Sequence, residues 1–581
     1  MKIPIKDYFQ LLGKYMMKQK LRTISLFLII IVNLFMQLYN PRILGYFIDG
    51  IKGNYPEKSI IIAVTVFIIF GVSTQLLSIL ATYVGEKLGW TSTNELRMDL
   101  IEHCIGLDMG FHKNHQSGEM LERIDGDINA LFTFFSTLMI KLVSNIGLVA
   151  GIIVLLVKED YRIGAVLIGI AVLDWVIMMA LERFFTKFWE TERSYEADLY
   201  GFLGEQVTSV EDITTSGAKG YVMNKLYKLF RKMMPVVIKA DLGYYSMWAA
   251  NVIVFAIANV AALWLSIYLY SNSVITLGTV YMIFYYTELL NGPLEEIRNQ
   301  LQRLQSADAS IKRVKELFKT KTAINYGDKS LEKCKGIDVD IQGVSFNYED
   351  DEPVLKNIDI EIKENKILGI LGHTGSGKTT LARLIARIYD VNSGSILING
   401  IDIKDIKKES LLRSMSYVTQ EVEIFKGTLR DNLTMFNDNI KDHDIMDIIK
   451  STGIERWLNK MPEGLDTVLE SGGNSLSAGE AQLVAFIRVF LKNPKLVILD
   501  EATSRLDPIT ENMLEKALSK LIENRTCIII AHRLKTVERA DDIMILKDGE
   551  VIESGNRREL IQDNNSKFAH LIQVGMEEVL A

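Results

Sequence analysis

Cysteine is nearly missing from the 581 residues: Cys104, Cys334 and Cys527 stand far apart along the chain. That spacing fits neither a disulfide framework nor a zinc pattern, and it suits the reducing side of a membrane or no constraint at all. An excess of basic charge is missing too. A formal net charge of −7 provides none of the basic surface that nucleic-acid binders carry. Residues 1–20 lack the layout of a signal peptide, because Lys2, Lys6, Lys14, Lys18 and Lys20 are spread through a polar, partly amphipathic segment. That segment is expected along the cytoplasmic surface.

What is present points to a chain divided between membrane and water. The apolar share is 48% and the mean hydropathy is positive, yet 24% of residues are charged. The length exceeds that of one ordinary domain. Long apolar runs occupy the chain up to about residue 300, and each stretch near 22–48, 59–85, 132–157, 161–186, 243–270 and 275–297 meets the ~20 residues needed to cross a hydrocarbon core. The connections 86–131 and 187–242 are long, charged and helix-like, as if the spanning helices continued beyond the bilayer. Basic residues such as Arg97, Lys113, Arg123, Lys187, Arg193 and Lys232 gather there, which places those loops and both termini in the cytoplasm. We therefore expect an α-helical six-span transmembrane domain over 1–318, a polar linker over 319–337, and an α/β P-loop NTPase domain over 338–581, in a multi-pass protein of the plasma membrane.

The second half turns on Gly372-His373-Thr374-Gly375-Ser376-Gly377-Lys378-Thr379-Thr380. An apolar run, Lys366–Leu371, precedes it and an amphipathic run, Leu381–Ile388, follows, so the pattern G-x-x-x-x-G-K-[ST] sits in its required strand–loop–helix setting. The glycines let successive backbone N–H groups face phosphate oxygens, and the helix N-terminus adds its positive end. Lys378 is expected on the β- and γ-phosphates of ATP and the Thr379 hydroxyl on Mg²⁺. Leu496-Val-Ile-Leu-Asp500-Glu501 is a further apolar run ending in two acids. Asp500 at that strand end suits Mg²⁺ held through water, and Glu501 suits a water-polarising base.

Between these lies Leu476-Ser477-Ala478-Gly479-Glu480. With it, the soluble half resembles the nucleotide-binding domain of ATP-binding cassette (ABC) transporters, whose signature reads L-S-G-G-Q. The resemblance extends over the whole chain, with six spans followed by a cassette as in a half-transporter of the exporter type. It implies that Tyr348 stacks on adenine, that Gln420 senses Mg²⁺ and faces the membrane part, that Asp507 lies in the D-loop (Ser504–Asp507), and that His532 is the switch histidine on the γ-phosphate. Glu470, just before Ser471-Gly-Gly473, resembles the exporter loop near the coupling helices. Phe111–Ile124 resembles the first intracellular coupling loop, and Gly201–Gly217 the second, which would seat a short helix on a partner's cassette. The signature Ser477 end of one cassette would close over the γ-phosphate held by Lys378 of another, so a single cassette cannot complete a site and a dimer is implied.

The signature departs from the pattern. Ala478 adds only a methyl group, whereas Glu480 brings a carboxylate towards the nucleotide unless it faces the ribose. Arg505 stands where a small residue is usual, and Ala481 where many members have Arg. In the membrane half, Asp174 sits near the middle of a span, where an ionisable side chain faces protein or a water-filled cavity. It suits either a cationic group on a substrate or a polar neighbour such as Asn145 or Asn251. Tyr244, Tyr245, Trp248, Phe284, Tyr285 and Tyr286 suit a hydrophobic cavity or a lipid-facing belt. His103, His112 and His115 read as satisfied loop histidines rather than as a metal site.

The expected function is ATP-driven export of an amphipathic small molecule, lipid, drug or peptide by a dimer with two nucleotides between its cassettes. The alternatives are import of a metal chelate on the same architecture, or an ATP-gated channel or regulator. Because the resemblance of an L-S-A-G-E signature is to halves of heterodimers, a second, different half is the expected partner, with a homodimer as the other possibility. A protease-bearing peptide exporter is disfavoured, since the segment before the first span is too short for a protease.

Overall fold

The computed structural model describes residues 13–133, 139–331, 336–348, 353–470, 476–500, 508–531 and 537–574. They form two compact units: Met1–Ile105 with Ser117–Lys319, and Gly106–Gln116 with Thr320–Ala581.

The first unit is all helix. Its long members are α1 (Lys20–Lys52), α2 (Glu57–Ile105), and, after the short helices α3 (Met109–Asn114), α4 (Ser117–Leu121) and α5 (Asp127–Thr133), α6 (Met139–Glu159). There follow α7 (Tyr161–Thr208), the short α8 (Val210–Thr215), α9 (Lys219–Ser271) and α10 (Leu277–Lys319); α3 belongs to the second unit. At 1.5 Å per residue, α2, α7 and α9 each run roughly 70 Å or more, well over the ~30 Å of a hydrocarbon core. The apolar spans continue as helix into the charged connections as far as Ile105 in α2 and Thr208 in α7, and from Lys219 in α9, with short separate helices between.

Five helical stretches are long and apolar enough to cross a membrane, those of α1, α2, α6, α7 and α9. The sixth expected span, 275–297, is helical as part of α10 but is not among them. Glu288, Glu295 and Glu296 interrupt its apolar run, and Glu288 and Glu296 find partners within the unit. Asn259 Nδ2 donates to Glu288, and Lys141 pairs with Glu296 at 3.0 Å. Helix α10 meets α1 backbone to backbone: a Cβ added at Gly278 would lie 2.1 Å from the Gly45 carbonyl oxygen. Asp49 closes that crossing by accepting from the Gly278 amide (2.7 Å) and the Thr276 hydroxyl (2.6 Å). Small residues at such crossings are how membrane helices gain close packing without a hydrophobic drive. The core between α1, α6, α7, α9 and α10 includes Leu38, Ile152, Leu156, Leu269 and Tyr286, the last donating its hydroxyl to the Leu38 carbonyl. Tyr244, Tyr245 and Trp248 are exposed, so the aromatic group named above divides between surface and core.

Asp174 is buried, and its Oδ1 has no hydrogen-bond partner among the described residues; the same holds for Nδ2 of the buried Asn251. His103 lies against the Leu317 carbonyl (2.9 Å) and His115 against that of Phe111 (2.9 Å).

The second unit carries two main sheets and a helical lobe. Strands β1 (Val339–Phe346), β2 (Leu355–Ile362), β4 (Ser393–Ile398) and β5 (Ile401–Asp402) form an antiparallel sheet in the order β2-β1-β4-β5. The core sheet runs β12-β11-β3-β10-β9-β6, from β3 (Ile367–Leu371), β6 (Met415–Val418), β9 (Leu496–Asp500), β10 (Thr526–Ile530), β11 (Asp542–Lys547) and β12 (Glu550–Asn556). Its pairings are parallel except β11–β12, a hairpin turned by Asp548 and Gly549, both at positive φ. The continuous apolar runs of β3, β9 and β10 follow from this, since both faces of a parallel sheet are covered. A third, two-stranded sheet joins β7 (Gly427–Thr428) to β8 (Val468–Leu469).

Candidate active site

Parallel register brings the chemistry to one edge. Ile370 of β3 is opposite Ile530 of β10, Ile530 is opposite Asp500 of β9, and Leu499 of β9 is opposite Val418 of β6. The glycine loop therefore leaves the sheet beside Asp500 and beside the exposed Gln420 two residues past β6. The same edge releases the chain that leads to His532. Glu501, Asp507 and His532 themselves lie outside the described residues, as does 471–475.

The loop from Gly372 enters α11 (Lys378–Ile385), with Gly377 as its left-handed N-cap. Side chains are barred here by space as well as by φ. A Cβ at Gly372 (φ +149) would come within 2.2 Å of the Leu546 carbonyl oxygen, and one at Gly377 (φ +101) within 2.6 Å of Leu355 Cδ2. Gly375 also takes positive φ, whereas His373, Thr374 and Gly375 are themselves exposed. The buried Lys378 folds back onto the loop, donating to the carbonyls of Gly372 (2.7 Å) and His373 (2.9 Å). Ser376 Oγ is buried without a hydrogen-bond partner among the described residues. That hydroxyl, a buried ammonium resting on carbonyls and a helix N-terminus form a cradle that fits phosphate oxygens. Thr379 is half-buried at the start of the helix, and Thr380 bonds the Tyr348 hydroxyl at 3.0 Å.

Asp500 is buried and accepts a hydrogen bond at Oδ2 from the Tyr417 hydroxyl at 3.0 Å. Burial, then the charge of Asp500, pushes the Tyr417 phenol well above its ordinary value, so the group stays a donor. Tyr348 stands at the end of β1's run, edge-on to Phe346 (5.0 Å between centroids) and Tyr389 (5.2 Å). The Lys113 ammonium lies 4.4 Å from its ring centre. Lys113 comes from α3, whose N-cap Asp108 accepts from the amides of Phe111 (3.1 Å) and Ala323 (2.7 Å). Burial opposes the Asp108 charge, but those amides outweigh it and hold the carboxyl below its ordinary value.

The signature is a helix start. Helix α14 (Ala478–Lys492) follows two helices of the same lobe, α12 (Leu429–Thr434) and α13 (Asp442–Thr452). Ser477 is its N-cap in a capping box, with Glu480 Oε2 accepting from the Ser477 amide (2.9 Å) and hydroxyl (3.0 Å). Glu480 is thus turned back on its own helix, which is how this chain absorbs a carboxylate in place of glutamine. Gly479 is buried beneath it.

Beside β6 a groove of about 630 Å³ opens, lined by Tyr417, Phe425, Met435, Arg488 and Lys492 among others. Burial lowers the values of both Arg488 and Lys492. Arg488 is held by the carbonyls of Asn432 (2.8 Å) and Glu423 (3.1 Å).

Lys113, Arg383, Tyr417 and Asp108 were not singled out from the sequence as site residues. Their partners lie tens to hundreds of positions away, and no local pattern marks such pairs.

A glycine-cradled helix start, a buried strand-end acid and a capped signature helix, joined in one chain to membrane-length helices, define an ATPase built into a membrane protein. The sequence profile of the ABC transporter transmembrane region matches residues 23–294, and that of the ABC transporter matches 355–504. The chain is 30% identical to the ATP-dependent lipid A-core flippase of Vibrio vulnificus (strain YJ016) over 94% of each chain. It is 29% identical to a putative multidrug export ATP-binding/permease protein of Staphylococcus aureus (strain NCTC 8325), over 98% of this chain and 99% of that one. Its fold matches that of a bacterial Atm1-family ABC exporter with ATP bound, with a TM-score of 0.80 at 22% identity, over 96% and 98% of the two chains. The chain belongs to the ABC transporter family. It is a multi-pass membrane protein whose cassette binds ATP and couples its hydrolysis to transport.

Proposed function

We propose that the cassette hydrolyses ATP with Mg²⁺ held by Thr379, Asp500 and Gln420, and that this drives export of an amphipathic compound. The observation that carries the reading is the cradle itself, where Lys378, Ser376 and the N-terminus of α11 converge beside Asp500. Tyr348 stacks the base; Gly372 to Thr380 hold the phosphates, with Lys378 exchanging its two loop carbonyls for phosphate oxygens. Glu501 takes a proton from the attacking water as the bond from the γ-phosphorus to the bridging oxygen breaks and ADP leaves. His532 steadies the γ-phosphate, while Ser477, Gly479 and Glu480, with Asp507 of the D-loop, act from the opposing cassette. Bound Mg²⁺ supplies charge neutralisation on the phosphates.

The cassette and both termini lie in the cytoplasm, the membrane is the plasma membrane, and the domains divide as 1–318, 319–337 and 338–581. The working unit is a dimer in lipid, with a different half as partner in preference to a second copy. Support for a docked partner comes from the groove at Phe425 and Met435, whose rim carries Arg488 and Lys492. The short α8 that would seat on a partner's cassette begins with Glu211 and Asp212, charges of the opposite sign. A lipid or drug as cargo fits the relatives named flippase and multidrug exporter.

The test is ATP turnover by the full chain in lipid nanodiscs beside Glu501→Gln. Turnover abolished by the substitution supports the reading and makes the chain a complete engine. No turnover alone, restored by a co-expressed half and abolished again by the substitution, supports a heterodimer. Turnover indifferent to Glu501→Gln overturns the assignment.

A further inference from the structure

Helix α10 has one side that the core of its unit does not use. Tyr281, Glu288, Gly292 and Glu295 are exposed along it, while Met282, Ile283, Tyr286 and Leu290 are buried on the opposite side. Depth gives this stripe its meaning. Asn259 Nδ2 donates to Glu288 Oε1 (2.5 Å), and Asn259 is twelve residues short of the end of α9 at Ser271. Glu288 itself is eleven residues past the start of α10 at Leu277. Both counts set the carboxylate about 17 Å from the helix ends, near the middle of a hydrocarbon core ~30 Å thick. An ionised carboxylate at that depth faces protein or a water-filled path, not lipid. Among the described residues Glu288 forms no ion pair: Lys141 is engaged by Glu296 (3.0 Å) and Arg42 by Glu159 (2.5 Å).

Unpaired acceptors gather beside it. Asn259 Oδ1, Asn291 Oδ1 on the turn after Glu288, and Oδ1 of Asp174 (5% exposed) have no hydrogen-bond partner among the described residues. Trp189 Nε1 donates to the Ala240 carbonyl (3.2 Å), and a Cβ at Gly243 would lie 2.7 Å from the Phe185 ring, which fixes the antiparallel register of α7 on α9. In that register Asp174 is level with Val254 and Phe255, about 7 Å along the axis from Asn259. With Asn251 Nδ2 as an unpaired donor, acceptors remain in excess. Such a region is completed by a ligand that brings hydrogens and positive charge.

We propose that the exposed side of α10 binds an amphipathic organic cation, with Glu288 as its charge partner, the Tyr281 and Tyr285 rings as its aromatic wall and Glu295 as a second carboxylate two turns on. This deepens the export reading above, and rests on it, by giving the cargo a charge. The two rings stand one and two turns before Glu288 on the same side of the helix, with centroids 6.5 Å apart. A cation over a tyrosine face gains from the ring quadrupole, most where water is excluded. The Asn259 amide engages Oε1 of Glu288 and leaves Oε2 for the ligand. An anion meets two like charges on this stripe, and a neutral compound leaves the carboxylate unpaired, so discrimination is by charge first.

The experiment measures saturable binding of tetraphenylphosphonium, a permanent aromatic cation, and of triphenylphosphine oxide, a neutral counterpart, to the full chain in nanodiscs, with empty nanodiscs subtracted. No ATP is added, so failure of this site and failure of the ATPase reading, tested by Glu501→Gln, are seen separately. The parent chain is expected to bind the phosphonium at least tenfold more tightly than the oxide. Glu288→Gln should weaken the phosphonium about tenfold and leave the oxide within about twofold, with Glu288→Asp recovering part of the loss. Glu295→Gln should cost the phosphonium about two- to threefold, and Tyr281→Leu should weaken both compounds. Glu296→Gln, whose carboxylate is paired with Lys141, should change the preference for the cation by less than about twofold. An unchanged ATP-dependent thermal shift reports a folded chain in each variant. Equal binding of the two compounds by the parent, or a phosphonium affinity indifferent to Glu288→Gln, overturns the proposal. If a second copy covers this side of α10, Glu288→Gln alters the number of chains per nanodisc and not the phosphonium affinity, which overturns it as well.

Discussion

The two halves expose apolar surface in opposite ways. In the membrane half, large apolar side chains such as Leu21, Ile31, Ile62, Leu76 and Trp264 are exposed along whole helices, because lipid is their solvent. Among the described residues of the cassette, those exposed are Leu412, Phe425, Met435, Phe436, Val468 and Ile561. Phe425 and Met435 line the groove beside β6, and Phe425 packs edge-on to Phe436 with centroids 6.0 Å apart. Exposed apolar surface therefore runs along whole helices in one half and is confined to a few positions in the other. Unpaired buried polar atoms lie in both halves. Among the described residues, Ser376 Oγ at the phosphate cradle has no hydrogen-bond partner, and neither do Asp174 Oδ1 and Asn251 Nδ2 in the membrane half. Burying an unpaired carboxylate is costly, and such a group is retained where a ligand or cavity supplies its partner.

The sharpest way to break this comparison is in the cradle. Lys378→Met is expected to lower ATP turnover by about 10²–10³, with or without transported substrate, because a charge-stabilising donor at the phosphates is removed. Turnover in nanodiscs checks it, and a loss confined to substrate-stimulated turnover would contradict the division of labour. Gly377→Ala meets both a positive φ and a Cβ contact at 2.6 Å. We expect it to weaken nucleotide binding by tenfold or more and to destabilise the cassette by about 1–3 kcal/mol, read by ATP-dependent thermal shift. Asp174→Asn probes the other half. Basal turnover should be unchanged, while stimulation by cationic amphipathic compounds should fall about tenfold, the worth of one charge-assisted hydrogen bond. Equal stimulation by neutral and cationic compounds in the parent chain would remove Asp174 from substrate recognition. The smallest effect is expected from Glu480→Gln. It keeps the capping geometry and removes a negative charge from the signature, so nucleotide affinity in the closed dimer should rise by about twofold to fivefold, with folding stability changed by less than about 1 kcal/mol.

The cassette was legible where chemistry demands particular atoms in a fixed order. The glycine loop, the strand ending at Asp500 and the Ser477 helix start each need only local sequence to be recognised, and each lies on the expected type of element. The membrane half was legible through hydropathy alone, which located five of the long helices well. The sixth long helix, α10, is the more polar one, and the partners that make Glu288 and Glu296 tolerable there, Asn259 and Lys141, belong to other helices. Glu480 was the reverse case. Read from sequence, its carboxylate was expected towards the nucleotide unless it faced the ribose; in the structure it accepts from Ser477, three residues away, in a capping box.

Sequence by itself determined the class of protein, the phosphate cradle and the membrane spans, because short-range backbone geometry and hydropathy depend on contiguous residues. Only the tertiary structure decided that Lys113 covers the Tyr348 ring, that Asp108 grips the Ala323 amide, and that Tyr417 donates to Asp500. Those contacts arise where parallel register and helix packing bring distant elements to one edge, and no periodicity along the chain carries that information.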